Sequence, residues 1–146
     1  ETGYRDSKAL LARWHGQGRQ LYAITPRFAL TSTEAQLEAA GALVREHPGA
    51  YMQTHLAENL DEIATARRLY PQASSYTDIY DRYGLLGARS LFGHCIHLDD
   101  EDRSLMRSTG AVAAAPRAAV LMPRSLRASC KHPHPVGQQA QPPSLH

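Results

Sequence analysis

The sequence predicts an α/β fold built on a parallel sheet of about four strands. Extended and helical patterns alternate through the first 115 residues, which is typical of βα units. The extended segments are almost continuously apolar, as expected of strands covered on both faces. The chain has 146 residues, which suits one domain and is too short for a complete (β/α)₈ barrel of about 250 residues. Half a barrel and a small open sheet both satisfy these observations.

The N-terminal elements are a helix, a strand and a second helix. Residues 6–14 predict the end of a helix, and the apolar residues 20–25 predict a buried strand. Thr31 and Glu34 have the spacing of a capping box, in which two side chains satisfy free backbone N–H groups at a helix start. Apolar residues then recur at helical spacing, and we expect this helix to end near His47, just before a proline.

Strands and helices continue to alternate in the prediction for residues 50–115. Residues 50–56 predict a second strand. Asp99–Asp102 place negative charge at the start of a helix, where it complements the helix dipole. We expect further helices over 59–69, 75–83 and 100–108, a third strand over 90–96 and a fourth over 110–115.

Charge and proline content divide the chain into two kinds of sequence. Residues 1–102 contain all 14 acidic groups and carry a net charge of −4, whereas residues 103–146 carry +6. Six of the nine prolines lie at or beyond residue 116. We therefore expect the βα units in residues 1–114, and a basic, proline-rich tail over 115–146 that is disordered or read out of frame.

Composition argues against several partners and locations. The basic region contains no aromatic residue on which a base would stack, so a nucleic-acid partner is not expected. No apolar run approaches the ~18 residues of a membrane span, so we expect no membrane association and a cytoplasmic location. Two cysteines are too few for a disulfide framework, which favours a reducing compartment.

Three polar side chains lie at the predicted strand ends. Arg27 follows the first strand, and His55 and His94 lie at the ends of the second and third. In parallel α/β proteins, ligands and catalytic groups gather at the carboxyl ends of the strands. We therefore expect a functional site at this edge of the sheet.

Histidine and glutamate indicate metal-assisted hydrolysis at that edge. His55 begins a His-x-x-Glu motif with Glu58, and on a helix the two side chains would share one face. A neutral imidazole at His55 or His94 can bind zinc, and a neighbouring carboxylate can move protons for the attacking water. In the alternative, the histidines satisfy backbone groups of the core and Glu58 simply begins a helix.

Arg27 and Phe28 suit a flat, polar heterocycle. A guanidinium offers a planar set of donors, and a phenyl ring offers a stacking surface. The alternative is a surface ion pair for Arg27 and a core position for Phe28. We expect packing roles for Cys95, Tyr76, Tyr80 and Tyr83.

Three motifs in this order resemble the guanine deaminases, a family of the amidohydrolase superfamily. They are ITPRFA at 24–29, QTHLAEN at 53–59 and GHCIHL at 93–98, and the resemblance covers roughly residues 1–113. It implies a partial (β/α)₈ barrel of the metal-dependent hydrolase type, with about four of the eight strands. It also implies zinc-dependent hydrolytic deamination of guanine to xanthine and ammonia, a step of purine catabolism.

The same resemblance implies a role for each matching residue. His55 corresponds to a zinc ligand, and His94 to a ligand or to the group that stabilises the attacking hydroxide. Glu58 corresponds to the carboxylate that moves protons between the water and the purine ring, and Arg27 and Phe28 to the pair that holds the purine. The remaining zinc ligands are expected outside this chain, which is expected to be inactive alone. The family also implies a homodimer.

Two other interpretations stay open. One is a non-catalytic truncated fragment, since two zinc ligands are matched and a catalytic site normally has three protein ligands. The other is a related aminohydrolase that acts on a different heterocycle, such as adenosine or a triazine.

Overall fold

The computed structural model describes residues 2–114, which form five helices and four short strands. None of these helices has the length and apolar character to cross a membrane. The tail predicted for residues 115–146 lies outside the described residues. The helices are α1 (Thr2–Trp14), α2 (Glu34–Glu46), α3 (Leu60–Leu69), α4 (Tyr76–Arg82) and α5 (Asp100–Thr109). The strands are β1 (Ala23–Ile24), β2 (Tyr51–Leu56), β3 (Ser90–His94) and β4 (Val112–Ala114), and a 3₁₀ turn covers Ala29–Thr31.

The four strands form one parallel sheet in the order of the chain, β1-β2-β3-β4. β2 and β3 pair over five residues, in a register that sets His55 beside Gly93 and Leu56 beside His94. Right-handed crossovers between strands in this order place the connecting helices on the same face of the sheet. The predicted parallel α/β class is therefore confirmed, and the sequential order favours a segment of a barrel over a doubly wound sheet.

The core lies on the helix-covered face of the sheet. Along β2 the side chains alternate, so that Met52, Thr54 and Leu56 are buried while Gln53 and His55 are exposed. One face of the sheet therefore carries the packing of the fold, and the other presents side chains to its surroundings. The largest fully buried side chains on the packed side include Tyr80, Phe92, Leu37, Ile79 and Leu85.

The start of α2 differs from its prediction. The N-cap is Thr33, whose hydroxyl accepts a hydrogen bond from Gln36 N–H while the Gln36 side chain accepts one from Thr33 N–H. The predicted pair of Thr31 and Glu34 is wrong, because Thr31 ends a 3₁₀ turn and the helix begins after it. The predicted end is confirmed, since His47 is the C-cap.

Two strands are shorter than their apolar runs. Of the predicted residues 20–25, the strand comprises Ala23–Ile24, which pair with β2 at one edge of the described sheet, and the Tyr22 carbonyl before them accepts from Tyr51 N–H. β3 ends at His94 rather than at residue 96. The reason is that the chain leaves the extended conformation at this point, since φ is 71° at His94, the last residue of β3, and 53° at Cys95.

Candidate active site

The predicted site residues meet at the carboxyl edge of the sheet. The imidazole rings of His55 and His94 lie edge to face with centroids 5.2 Å apart. The Glu58 carboxylate lies beside them, with Oε2 3.7 Å from His94 Nε2. The Phe28 ring centroid is 6.4 Å from that of His55, and the Arg27 guanidinium carbon is 5.3 Å from the Phe28 ring centre. The five residues form one group, hereafter the edge cluster.

The edge cluster is open at its surface. The side chain of Glu58 is 52% exposed and that of His94 is 29% exposed. His55 and Arg27 are exposed as well, and Phe28 is half-buried. These histidines therefore do not lie within the packed core, and their rings are available to a ligand.

The backbone beneath the edge cluster is strained. Ala57, His94 and Cys95 have φ angles of 52°, 71° and 53°, a left-handed conformation that costs on the order of 1 kcal/mol or more for a residue with a Cβ. Hydrogen bonds between the two strand ends hold it. Cys95 N–H donates to the Leu56 carbonyl at 2.8 Å, and Ile96 N–H donates to the Ala57 carbonyl at 3.1 Å. Backbone strain of this kind is concentrated at functional sites.

Glu58 reaches His94 from a loop rather than from a helix. His55 belongs to β2, and α3 begins two residues after Glu58, so the His-x-x-Glu motif does not lie on one helix face. The left-handed Ala57 turns the chain at the end of β2 instead. The backbone N–H of Glu58 then donates to the carboxylate of the buried Glu62 at 3.1 Å. The motif therefore pairs its glutamate with a histidine of the neighbouring strand.

Cys95 lies next to the edge cluster but faces the core. Its thiol is 3.3 Å from the Phe92 carbonyl oxygen, and it packs against the hydrophobic core. Burial, followed by the nearby Asp102 carboxylate, raises the pKa of the Cys95 thiol to about 12. The predicted packing role is confirmed, and the thiol is protonated at neutral pH.

Tyr80 has a hydrogen-bonding role, in addition to its packing, that the sequence did not indicate. It is fully buried and packs edge to face on Phe92, with ring centroids 5.3 Å apart, so the predicted packing is confirmed. Its hydroxyl also accepts a hydrogen bond from Ala29 N–H at 3.0 Å and donates one to the His55 carbonyl at 2.9 Å. Helical spacing carries no signal for such bonds, because both partners lie at least 25 residues away along the chain.

The donor set of the edge cluster fits part of a zinc site. Two imidazoles that bind zinc tetrahedrally at 2.0–2.1 Å have ring centroids about 5 Å apart, and those of His55 and His94 are 5.2 Å apart. Within residues 2–114, no group of three or more His, Cys, Asp or Glu side chains is placed to hold a metal ion. The described residues thus offer two imidazole ligands, one fewer than a catalytic zinc site normally has.

The sequential parallel sheet and the polar cluster at its carboxyl edge are typical of enzymes built on a (β/α)₈ barrel. A sequence model of the amidohydrolase family matches residues 4–132, and the chain belongs to this family. The match continues past the residues that the structure describes.

The relatives matched in sequence include guanine deaminases and probable guanine deaminases, and the structural neighbours also include a triazine hydrolase at 17% identity, which bears on the fold alone. The chain is 47% identical over 109 residues to guanine deaminase of Escherichia coli strain K12, an alignment that covers 75% of this chain and 25% of the relative. The solved structure of E. coli guanine deaminase superposes with a TM-score of 0.77 at 45% identity, over 78% of this chain and 26% of that one. The C. acetobutylicum enzyme with guanine bound in its active site gives a TM-score of 0.72 at 29% identity, over 77% and 27%.

The chain spans about a quarter of the length of the relatives it matches. The predicted partial (β/α)₈ barrel and the resemblance to guanine deaminases are both confirmed. A sheet of four strands, about half of a (β/α)₈ barrel, does not close on itself, and the described sheet is accordingly open at both edges.

Proposed function

We propose that this chain is a central part of the barrel of a zinc-dependent guanine deaminase, which converts guanine and water to xanthine and ammonia. The observation that carries the proposal is the edge cluster, in which His55, His94 and Glu58 adjoin Phe28 and Arg27. Relatives 47% and 44% identical to the chain are named guanine deaminase and probable guanine deaminase, which supports the same substrate. The homodimer and the cytoplasmic location stay predictions.

His55 and His94 are the residues that would hold the zinc ion, together with ligands from parts of a barrel outside residues 2–114. The 5.2 Å separation of their rings supports this role. When bound, zinc supplies Lewis-acid activation that makes water nucleophilic near neutral pH. Because the described residues offer two imidazole ligands, we expect the chain alone to lack deaminase activity.

Glu58 would move protons during the reaction. Hydrolytic deamination forms a C–O bond at the amine-bearing carbon and breaks the C–N bond, so the water must lose protons and the amine must leave as ammonia. The Glu58 carboxylate is half-exposed beside His94, at the open side of the edge cluster. In this place it can accept the two protons of the water one after the other, passing the first to the ring nitrogen and the second to the amine, which leaves as ammonia while the new carbonyl forms.

Arg27 and Phe28 would select the heterocycle. The guanidinium lies over one face of the phenyl ring, with its carbon 5.3 Å from the ring centre, so planar hydrogen-bond donors adjoin an aromatic ring whose other face is not covered by Arg27. Guanine has a ring carbonyl that can accept from Arg27 and a flat ring that can contact Phe28. A ring without that carbonyl would leave the donors unpaired in a closed site, which discriminates strongly between substrates.

A chimera tests the proposal. The aligned segment of E. coli guanine deaminase is replaced by the corresponding residues of this chain, and ammonia release is measured with guanine, adenosine and a triazine. We expect activity on guanine, and Glu58→Gln is expected to lower kcat by about 10²- to 10⁴-fold. The matched control is Glu101→Gln, which removes an exposed carboxylate on α5 and is expected to leave kcat unchanged.

Two results would count against this function. Undiminished turnover by the Glu58→Gln chimera would remove Glu58 from proton transfer. Ammonia release from adenosine or a triazine, and none from guanine, would assign the chain to an aminohydrolase of another heterocycle.

A further inference from the structure

A hydroxyl buried behind the edge cluster joins two of its parts. Tyr80 on α4 is fully buried. Its hydroxyl accepts from Ala29 N–H at 3.0 Å and donates to the His55 carbonyl at 2.9 Å. Ala29 directly follows Arg27 and Phe28 along the chain. One side-chain oxygen therefore connects the segment that carries the guanidinium and the phenyl ring to the strand that carries the imidazole.

Neighbouring hydrogen bonds fix the same segment. The hydroxyl of the buried Thr54 donates to the Arg27 carbonyl at 3.1 Å, and His55 N–H donates to the same oxygen at 3.3 Å. The Tyr70 hydroxyl, at the end of α3, lies 3.1 Å from the Ala29 carbonyl oxygen. Ala29 is thus held at its N–H by one tyrosine and at its carbonyl by another. Of these side chains, Tyr80 contacts both the 27–29 segment and the His55 backbone carbonyl.

We propose that Tyr80 is a positioning residue that fixes the Arg27–Phe28 segment relative to His55. The inference rests on the proposed function, in which the pair holds the purine and His55 holds the metal. Attack on a bound ring requires the ring and the nucleophile to be held at a fixed separation, and displacements of about 1 Å are costly to rate. Tyr80 supplies that fixed separation from inside the core, where its ring is locked against Phe92.

The role requires a hydroxyl that both accepts and donates. Burial raises the pKa of Tyr80 to about 12, so the hydroxyl keeps the proton that it donates to the His55 carbonyl. Phenylalanine preserves the ring and removes both hydrogen bonds. Ala29 N–H and the His55 carbonyl would then lack their common partner in a buried place, where an unpaired polar group is unfavourable.

Tyr76 provides a matched control on the same helix. Its ring stacks on Tyr80 with centroids 5.8 Å apart, and it is 3% exposed. Its hydroxyl has no hydrogen-bond partner in the part of the chain that the structure describes. Tyr76→Phe therefore removes a buried tyrosine hydroxyl that lies near Tyr80 and Glu62 and leaves the bonds of Tyr80 to Ala29 and His55 in place.

Amide hydrogen exchange in the ¹⁵N-labelled, 146-residue chain tests the inference. Met52 N–H, which donates to the Arg89 carbonyl at 3.0 Å, serves as an internal reference for global opening. In Tyr80→Phe, we expect the amide exchange rate of Ala29 to increase about tenfold more than that of Met52. The exchange rate of His55 N–H should also increase more than that of Met52, but by a smaller factor than at Ala29. Tyr76→Phe is expected to leave these ratios unchanged. Equal increases at Ala29, His55 and Met52, or the same excess in Tyr76→Phe, would overturn the inference.

A measurement on the unmodified chain decides the question if Tyr80→Phe fails to fold. A slowly exchanging Tyr80 hydroxyl proton with a nuclear Overhauser effect to Ala29 N–H supports the link, and a hydroxyl that exchanges rapidly with water contradicts it. The zinc content of the chimera, measured with and without His55→Ala, tests the proposed function separately. Undiminished zinc in His55→Ala would count against the metal site, while the exchange ratios alone decide the role of Tyr80.

Discussion

The two faces of β2 differ in what their side chains do. Met52, Thr54 and Leu56 are at most 4% exposed and face the helices, where they contribute to packing and to buried hydrogen bonds. Gln53 and His55 alternate with them and are exposed on the other face. A strand with this pattern separates the residues that stabilise the fold from those that are free for chemistry. Substitutions on the packed face should therefore change stability, and those on the open face should change ligand binding.

The contrast extends to the backbone. Where the side chains pack, β2 and β3 are paired as regular parallel strands. At the carboxyl edge, by contrast, Ala57, His94 and Cys95 have left-handed φ angles. The hydrogen bonds from Cys95 and Ile96 hold that edge in place. The site is thus built where the regular structure ends, and it depends on the packed face for its support.

The largest expected effect comes from emptying the packed face. Phe92 is fully buried on β3, and Phe92→Ala should lower the free energy of unfolding by about 3–5 kcal/mol because it leaves a cavity. Leu91→Ala, one residue away on the opposite face and half-buried, should cost about 1 kcal/mol or less. Urea unfolding followed by circular dichroism measures both. Equal losses would mean that the two faces of β3 do not differ in packing.

The sequence predicted most of the packed face because its signals are local. Apolar runs and helical spacing locate the core elements. N-caps such as Asn59 and Asp99, whose side chains accept from nearby backbone N–H groups, set two of the helix starts. The capping box of α2 was misplaced by two residues, because Thr31, Ser32 and Thr33 are all suitable N-caps. Only the preceding 3₁₀ turn, which packs on α3 and Tyr70, selects Thr33.

The edge cluster was predictable for a different reason. Its members each lie at or just after a strand, and parallel strands bring such positions together whatever their separation in sequence. The support for the cluster was not predictable. Neither the left-handed Ala57 nor the Tyr80 hydroxyl bonds have a local pattern, because both depend on contacts between segments remote in sequence.

Adjacent residues of β2 give the next test. Thr54→Val keeps the shape of a buried side chain but removes the donor to the Arg27 carbonyl, and it should lower the free energy of unfolding by about 1–3 kcal/mol. His55→Ala on the exposed face should change it by about 0.5 kcal/mol or less. Thermal and urea unfolding of the two variants give the comparison. A larger loss for His55→Ala would assign that ring a structural role.

The Cys95 thiol lies where the strained carboxyl edge meets the packed core, and its reactivity provides a test of this boundary. Its backbone belongs to the strained edge, but burial raises its pKa from 9.0 to about 12. At pH 8 we expect iodoacetamide to alkylate Cys95 at least tenfold more slowly in the folded chain than in urea, because the thiolate is the reactive form. Peptide mass spectrometry separates this site from Cys130.

The raised pKa of the Cys95 thiol also determines the direction in which the stability of the fold changes with pH. A thiol whose pKa is higher in the folded state than in the unfolded state makes folding less favourable as pH rises from about 9 towards 12. Cys95→Ser should therefore weaken the decline of stability over this range. Equal alkylation rates in the folded and unfolded chain at pH 8 would contradict the burial of the thiol.

The smallest expected effect tests the strain at the edge. Ala57 and Ala66 are both fully buried, so glycine removes the same methyl group from each. Ala66 lies within α3, where glycine should cost about 1–2 kcal/mol through lost packing and greater freedom of the unfolded chain. At Ala57 the relief of a positive φ offsets that cost, and stability should stay within about 0.5 kcal/mol of the parent chain. If Ala57→Gly costs as much as Ala66→Gly in urea unfolding, the turn that leads from β2 to Glu58 is not strained, and the edge differs from the packed face in exposure alone.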